Sequence, residues 1–310
     1  MRQNILIIGA SGFIGSRLRD SWSSNSYVST YNTKPFNGGV RFDVATERLA
    51  DRFLLRGHTF THALLAQGAT KLDQCAAAPT VTRSANVIGT ERAIDDLIDA
   101  GIHPIFLSSD AVFDGTRGPW TEQDALCPIL TYGKQKAEVE SYLSRCPSPW
   151  TILRLSKVVS SYSTERNLLS QWLENILERQ SIRCAEDQIL SPIDVDDVVR
   201  IIDFVVQTNT TGIFNASGSD ILTRLELLRI FLGYCPDYVR HLAAVQTCRL
   251  SEVPSVEPLP VNCSLLNVKL RSVSEISPAS VENICSRFCE HVFSRDYNPP
   301  MRTVRFQPIK

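Results

Sequence analysis

The chain has 310 residues, 43% hydrophobic and 21% charged, so it can bury a sizeable core as one large domain or two smaller ones. Its net charge is −1 and no block of basic residues stands out, which argues against nucleic acid as the main partner. Nine scattered cysteines without a Cys-x-x-Cys pair predict reduced thiols in a cytoplasmic protein, and no apolar run is long enough to cross a membrane.

A phosphate-binding turn is predicted at the start of the chain. Residues 5–8 form an apolar run that suits a strand buried on both faces, and residues 17–22 continue as a helix. Between them, glycines at three-residue spacing permit a tight turn, the approach of a phosphate and close packing of the helix on the strand. A glycine-rich turn without a ligand has the same pattern. The residues expected to bind a dinucleotide here are Gly9, Ser11, Gly12, Phe13, Ile14 and Gly15.

The run Gly-Ala-Ser-Gly-Phe-Ile-Gly resembles that of the extended short-chain dehydrogenase/reductases, whose glycines have the same spacing. The resemblance implies that Asp43 and Val44, after a short strand at residues 40–42, contact the adenine of a bound cofactor. An Asp at this place also suits the start of the next helix, predicted over residues 45–55, and the two roles are compatible.

The cofactor is selected where the second strand, predicted at residues 27–31, ends. An acidic residue there would bind the adenosine ribose and favour NAD. This chain has Asn32 and Lys34 instead, and a cation with small polar groups suits a 2′-phosphate, although a solvated loop is the alternative. We therefore expect NADP(H) rather than NAD(H).

Small residues follow the fourth predicted strand. Ala66, Gln67 and Gly68 let a flat cofactor approach the backbone, and they match the family pattern only in part. In the helix predicted over residues 80–100, the resemblance places Asn86 at the site, where it supports a proton-relay water; a surface asparagine is the alternative.

A proton donor for a carbonyl is predicted on the helix that starts near Tyr132. A fifth strand at residues 104–107 delivers Ser109, and Tyr132 and Lys136 lie four residues apart on one helical face. A tyrosine has an unperturbed pKa of about 10, and a lysine ammonium one turn away lowers that pKa toward working pH. The lysine can also hold the nicotinamide ribose, and the serine can polarise the carbonyl. We predict Ser109, Tyr132 and Lys136 as catalytic residues of a ketone reductase; a surface helix pair is the alternative.

The neighbouring segments resemble the dTDP-4-dehydrorhamnose reductases: Ser-Ser-Asp-Ala-Val-Phe-Asp-Gly, then Pro-Trp-Thr-Glu-x-Asp, then Tyr-Gly-x-x-Lys-x-x-x-Glu. That family often has Tyr at Ala111 and Trp at Lys157, and both departures lie near the expected sugar pocket, so the sugar stays open. Related 4,6-dehydratases carry an Asp-Glu pair, whereas here Asp110 precedes Ala111, which argues against dehydration. The predicted substrate residues are Val112, Phe113, Lys157 and Gln188.

The expected fold is α/β, a Rossmann-type doubly wound parallel sheet with a smaller C-terminal substrate-binding lobe. Residues 1–160 are expected to form the NADP-binding domain, with later pieces returning to it, and residues 161–310 mainly the discontinuous lobe. The expected function is NADP(H)-dependent reduction of a keto group on a nucleotide-activated deoxysugar, and a homodimer stays open. The alternatives are a nucleotide-sugar epimerase with the same three side chains, or a non-catalytic NADP-binding regulatory subunit like that of methionine adenosyltransferase, which the departures at Ala111 and Lys157 favour.

Two cysteines near the C-terminus invite a metal interpretation. Cys285 and Cys289 lie one helical turn apart, with His291 nearby. Thiols on an apolar helix are expected to be buried packing residues, so we predict no metal site.

Overall fold

The computed structural model describes residues 4–23, 27–53, 60–163, 165 and 167–294. The strands are β1 (Asn4–Ile8), β2 (Tyr27–Tyr31), β3 (Val40–Arg41), β4 (Phe60–Leu65), β5 (His103–Ser109), β6 (Thr151–Leu155), β7 (Val158–Val159), β8 (Ile182–Ala185), β9 (Ile189–Leu190), β10 (Ile193–Asp194), β11 (Gly212–Ala216), β12 (Leu222–Thr223) and β13 (Val245–Cys248). The helices are α1 (Phe13–Ser21), α2 (Leu49–Phe53), α3 (Leu72–Ala77), α4 (Pro79–Arg83), α5 (Thr90–Asp99), α6 (Thr131–Leu143), α7 (Leu168–Leu177), α8 (Val195–Thr208), α9 (Arg224–Tyr234), α10 (Asp237–Leu242), α11 (Val268–Val273) and α12 (Val281–Phe293).

A seven-stranded sheet with the order β11-β6-β5-β4-β1-β2-β3 forms the centre of the molecule. All its neighbouring strands are parallel, so their carboxyl ends meet at one edge. This arrangement confirms the predicted Rossmann-type α/β fold. Strand β11 comes from the second half of the chain and pairs with β6, so later residues return to the sheet of the first half.

Strand β1 shows why an unbroken apolar run is needed at the centre of this sheet. Ile5 and Ile7 pack into a core cluster shared with helix α8, whereas Leu6 and Ile8 pack into a second cluster shared with helix α5. Successive side chains of a strand point to opposite faces, so only a strand with apolar residues at every position fits between two helical layers.

A separate core holds the C-terminal lobe together. Apolar side chains of helices α7, α9 and α12 pack around Phe231, which is fully buried between Trp172 and Phe288. Three separate two-stranded sheets, β7 with β10, β9 with β12 and β8 with β13, add to the central sheet. Within the described residues, no helix combines the length and the apolar character that a membrane span needs.

Two predicted helices differ from the observed ones. The helix expected over residues 45–55 begins only at Leu49, because the Asp43 carboxylate accepts from the Ala45 N–H at 3.0 Å and holds a turn; residues 54 and 55 lie outside the described residues. The helix expected over residues 80–100 contains a π-helical segment, Ser84–Gly89. A Cβ at Gly89 would lie 2.2 Å from the Val44 carbonyl oxygen, so glycine permits this close approach of the two backbones.

Candidate active site

The glycine turn after β1 has the geometry of a phosphate cradle. Gly9 has φ +88°, and a Cβ there would lie 2.7 Å from the backbone of Gln67; a Cβ at Gly15 would lie 2.6 Å from the Cα of Ala10. These two glycines therefore serve the turn and the helix packing, as their spacing predicts. At Gly12 the nearest atom to a Cβ is an oxygen 3.3 Å away, and α1 has no acidic residue in its first turn. The helix N-terminus is accordingly open and favourable to an anion.

The other predicted cofactor residues lie along the same edge of the sheet. Asn32 and Lys34 are exposed just beyond β2, and Asp43 follows β3 with a half-buried side chain. Buried Val44 lies next to Asp43, and Ala66 follows β4. The structure thus brings the ends of four neighbouring strands to the glycine turn.

The side-chain amides of Asn86 and Gln67 form hydrogen bonds within the protein. The Asn86 Nδ2 group donates to the Ala69 carbonyl at 2.9 Å and to Gln135 Oε1 at 2.7 Å, while its Oδ1 accepts from the Ala69 N–H at 2.7 Å. Both amide hydrogens of Asn86 are therefore engaged, which leaves it none to donate to a relay water. Gln67 Nε2 donates to the Thr90 hydroxyl at 3.1 Å.

Ser109, at the end of β5, and Tyr132, in the first turn of α6, line one cavity of about 490 Å³. The Ser109 hydroxyl donates to Asp110 Oδ1 at 2.9 Å and accepts from the Ala111 N–H at 3.2 Å. The cavity lies at the carboxyl edge of the sheet, where a parallel α/β fold places its ligands.

The electrostatics of Tyr132 differ from the sequence expectation. Burial raises the pKa of Tyr132 above its usual value, the Asp110 carboxylate and Cys75 raise it further, and a hydrogen bond with Ser109 opposes the change. Lys136 is not among the described groups that shift it. Its Nζ donates to the Leu107 carbonyl at 2.7 Å and lies 5.7 Å from the Tyr132 ring centroid. The contacts of Lys136 therefore do not lower the pKa of Tyr132 in the way that the sequence predicts.

Burial also acts on the two charged neighbours of Tyr132. It lowers the pKa of Lys136 to about 8, against the opposing effect of Glu140. It raises the pKa of Asp110 to about 6, against the hydrogen bond from Ser109 and the charge of Lys157. The site thus holds two ionisable groups whose pKa values are displaced toward neutrality, a feature enriched in active sites.

A buried ion pair below the cavity fixes helix α6 to the sheet. Arg154, on β6, pairs with Glu140, on α6, at 2.8 Å, and the two side chains are 3% and 2% exposed. The Ser108 hydroxyl, on β5, also donates to Glu140. Glu140 lies eight residues after Tyr132 on helix α6. The Glu140–Arg154 ion pair therefore helps to set the position of this helix on the sheet.

Gly133 was overlooked at the sequence level although it lies next to Tyr132. A Cβ at this position would lie 1.9 Å from the Ala111 carbonyl oxygen, so the helix can pack on the turn after β5 only with glycine there. The adjacent Tyr-Gly pair was the available signal, and its meaning depends on a contact between separate elements.

The predicted substrate residues divide into two groups. Lys157 and Gln188 line the cavity. Val112 and Phe113 do not: they are 0% and 1% exposed, and the Phe113 ring stacks on Trp120 at 4.5 Å in a separate small core. They follow the strand end in sequence, but the 3₁₀ turn Asp110–Val112 directs the chain back into the protein.

Two arginines that sequence reasoning missed also reach the cavity. Arg183, on β8, and Arg224, at the start of α9, line it together with Lys157. Arg224 donates to Gln188 Oε1 at 3.3 Å, and burial lowers the pKa of both Arg224 and Lys157, the latter also through the charge of Arg224. Asp110 is the acidic residue among the described lining side chains, so cations outnumber carboxylates there and favour an anionic ligand.

The cysteine cluster near the C-terminus is a packing feature. Cys285 and Cys289 are 0% and 6% exposed on α12, and Cys289 Sγ lies 3.8 Å from Cys235 Sγ. Within the described ranges, no group of three or more potential metal ligands is found. His291 instead stacks on Tyr162, with ring centroids 4.8 Å apart.

Comparison with known proteins gives a family and a fold. Residues 2–293 match the family model described as RmlD substrate binding domain. The chain is 25% identical to a dTDP-4-dehydrorhamnose reductase of Sinorhizobium fredii over 204 residues, 63% of this chain and 68% of that protein. It is 22% identical to methionine adenosyltransferase 2 subunit beta of Bos taurus over 241 residues, 73% of this chain and 70% of that protein.

Among solved structures, the chain is similar to dTDP-4-dehydrorhamnose reductase from Bacillus anthracis, determined in complex with NADP. The TM-score is 0.80 at 21% identity, and the match covers 93% of this chain and 99% of the other. This likeness establishes the shared fold. Because the family model spans nearly the whole sequence, the protein belongs to the RmlD substrate binding domain family, and it is an oxidoreductase of the extended short-chain dehydrogenase/reductase type.

Proposed function

We propose that the protein reduces the 4-keto group of a dTDP-linked deoxysugar, with NADPH as the hydride donor. The observation that carries the proposal is a single sheet edge that presents both an open glycine turn and a cavity lined by Ser109 and Tyr132. The names of the similar reductases support the substrate class, and the NADP complex of the Bacillus anthracis protein supports the cofactor.

The residues present fit NADP(H). Gly12 leaves the backbone at the start of α1 without a side chain, the first turn of α1 has no competing carboxylate, and Lys34 places an exposed cation beyond β2 for a 2′-phosphate. The residues that would hold the cofactor are Gly9, Ser11, Gly12, Phe13, Ile14, Gly15, Asn32, Lys34, Asp43, Val44, Ala66, Gln67, Gly68, Tyr132 and Lys136. When bound, NADPH supplies the hydride that reaches the keto carbon.

Tyr132 donates the proton in this proposal. Its raised pKa keeps the phenol protonated at neutral pH, which is the form that a keto reduction consumes. As hydride adds to the carbon, the phenol proton passes to the oxygen, which becomes the product hydroxyl, and solvent later restores the proton. The phenolate that remains is stabilised by its hydrogen bond with Ser109.

Ser109 has to change partner for its role. Its hydroxyl donates to Asp110, so polarising a substrate carbonyl requires the hydroxyl to rotate toward the cavity. Asp110 thus holds the serine in a defined position until substrate arrives.

The positively charged side chains of the cavity suit the diphosphate of a sugar nucleotide. A sugar nucleotide carries its negative charge on the diphosphate, and Lys157, Arg183 and Arg224 surround the cavity with positive charge. Gln188, held by Arg224, adds an amide next to them.

Two tyrosines of helix α6 give a matched test. Tyr132→Phe is expected to lower kcat/KM for NADPH-dependent reduction of a dTDP-4-keto-deoxysugar by at least ~100-fold, because the proton donor is lost. Tyr142→Phe serves as the control, since its hydroxyl binds Asp95 instead of lining the cavity. Initial rates of NADPH oxidation measure both. Undiminished turnover by the Tyr132 variant would rule out its proposed role.

A second function is favoured by one relative and two residues. The methionine adenosyltransferase subunit matches the chain, and both Ala111 and Lys157 depart from the reductase pattern inside the cavity lining. An NADP-binding regulatory subunit would bind the dinucleotide tightly, oxidise no NADPH with any keto-sugar nucleotide, and form a stable complex with a separate enzyme. Calorimetry with NADP and a turnover panel distinguish the two functions.

A further inference from the structure

The segment from Leu250 to Cys263, here called the cavity strap, forms one wall of the substrate cavity. Five of its side chains line that cavity: Leu250, Val253, Leu259, Pro260 and Cys263. Most of this wall is apolar, so it shapes the site and excludes water without binding a charged group itself.

The two ends of the cavity strap are attached beside the C-terminal lobe. The Leu250 N–H donates to Asp187 at 2.7 Å. The Val261 carbonyl accepts from the Ile189 N–H at 2.8 Å, and the Cys263 N–H donates to the Ile189 carbonyl at 2.9 Å. These bonds fix where the cavity strap leaves and rejoins the β8–β9 region.

The middle of the cavity strap crosses to the helix that carries Tyr132. The Glu257 carboxylate accepts from the Thr131 N–H at 2.9 and 3.0 Å and from the Thr131 hydroxyl at 2.7 Å. The Val256 N–H also donates at 3.3 Å to Asp73, in the first turn of α3. The cavity strap therefore links the lobe to the sheet domain across the substrate cavity.

Helix α6 lacks a cap of its own. Its N-cap residue, Leu130, makes no side-chain capping bond, and no acidic residue lies in the first turn. Glu257, 126 residues further along the chain, supplies both the capping acceptor and the negative charge that a helix N-terminus favours. Thr131, which it binds, directly precedes Tyr132.

We propose that Glu257 is a positioning residue, which caps the catalytic helix and couples the wall of the cavity to the placement of Tyr132. For the chemistry that Tyr132 performs, this inference rests on the proposed reductase function. Glu257 does not line the cavity, so it acts through Thr131 and the backbone of the first helical turn.

The kinetic test compares three variants. Glu257→Ala is expected to lower kcat about 10-fold and to raise KM for the sugar nucleotide several-fold, while KM for NADPH changes less than about 2-fold, because the glycine turn lies elsewhere. Glu257→Gln retains one acceptor oxygen and is expected to recover part of the loss. Glu252→Gln is the matched control in the same strap, since Glu252 is exposed and caps only its own 3₁₀ turn through the Arg249 N–H.

Hydrogen exchange provides a readout that does not depend on turnover. In Glu257→Ala, the backbone amides of Thr131, Ser255, Val256 and residue 257 are expected to exchange at least about 10-fold faster than in wild type, whereas Glu252→Gln leaves them unchanged. An unreactive wild type would refute the proposed function, and the exchange result would still decide the capping role.

Two outcomes would overturn the inference. One is wild-type kinetics and exchange in Glu257→Ala. The other is an equal change in both KM values with faster exchange throughout the sheet domain, which would indicate general destabilisation. A double variant, Thr131→Ala with Glu257→Ala, is expected to match Glu257→Ala alone; additive losses in kcat would contradict a shared contact.

Discussion

At the scale of single residues, burial shifts the pKa values of the proposed active-site groups more than charge attraction does. Burial raises the pKa of Tyr132 and Asp110 and lowers that of Lys136, so each group is displaced toward its uncharged form. A protein that needs a neutral phenol for proton donation gains from this environment. The cost is a destabilised carboxylate at Asp110 beside the phenol.

Asp110→Asn tests that cost. A carboxyl whose folded pKa, about 6, exceeds its unfolded value of 3.8 binds more protons when folded, so its contribution to stability falls as pH rises through that window. At pH 7 the charged form destabilises the fold by about 3 kcal/mol, so the asparagine variant is expected to have an unfolding free energy, measured by urea titration, that is higher by about that amount. At pH 4 the two proteins should be nearly equal. A variant that is less stable than wild type at pH 7 would contradict the assignment.

The same substitution is expected to change the pH profile. The Asp110 charge raises the pKa of Tyr132, so removing it moves the alkaline fall in reductase kcat/KM to lower pH. Asp114→Asn is the control, because the half-buried Asp114 carboxylate accepts from the Thr116 N–H outside the cavity.

At the scale of elements, the site depends on how closely helix α6 approaches the turn after β5. Gly133 permits that approach, the Glu140–Arg154 pair holds the helix on the sheet, and Glu257 caps its start. Each of these contacts joins segments that are separate in sequence, so they set a position that local propensity alone does not.

Gly133→Ala probes the approach directly. Its Cβ would lie 1.9 Å from the Ala111 carbonyl oxygen, so either the helix or the turn must shift, and activity is expected to fall about 10- to 100-fold. Gly233→Ala, within α9, is the matched control: nothing lies within 4 Å of its Cβ, and helix propensity should stabilise it by up to about 1 kcal/mol. Steady-state kinetics and thermal melts measure both. An active Gly133→Ala enzyme would show that this approach is dispensable.

Local patterns predicted much of the architecture because they report local physics. The apolar run at β1 requires a strand covered on both faces, and the spacing of Gly9 and Gly15 matches a turn and a helix packing contact. Phe113 is buried and does not line the cavity, because the 3₁₀ turn that follows the strand determines where its side chain points, and sequence alone does not show that turn. The contact between Glu257 and Thr131 joins residues 126 positions apart, so no local sequence pattern predicts it.

At the scale of the whole molecule, the cavity is lined both by residues at the carboxyl edge of the central sheet and by residues of the second half of the chain. A pair of adjacent histidines at the opposite end of the sheet, His62 and His103, has ring centroids 4.9 Å apart and ring planes tilted by 31°. Burial, together with the charge of His62, lowers the pKa of His103 to about 4. These residues take no part in the site but affect how the molecule responds to acid.

His103 is expected to weaken the fold in mild acid. Its folded pKa lies below the unfolded value of 6.5, so its contribution is present above pH 6.5 and is lost as pH falls toward 4, by about 3 kcal/mol in total. The difference in unfolding free energy between wild type and His103→Gln should therefore shrink from pH 7 to pH 4.5. Urea titrations at both pH values measure it, and a difference that does not change with pH would contradict this origin.

In the proposed reaction, NADPH transfers a hydride to the carbon of the keto group, and Tyr132 donates a proton to its oxygen. Incubating the protein with a dTDP-4-keto-deoxysugar and NADPH deuterated at the transferable C4 position tests it, with mass spectrometry and NMR of the sugar product. We predict one deuterium on the carbon that bore the keto oxygen, one NADP⁺ formed per product, and loss of both in Tyr132→Phe. A sugar without deuterium, with the label retained in the dinucleotide, would contradict the account.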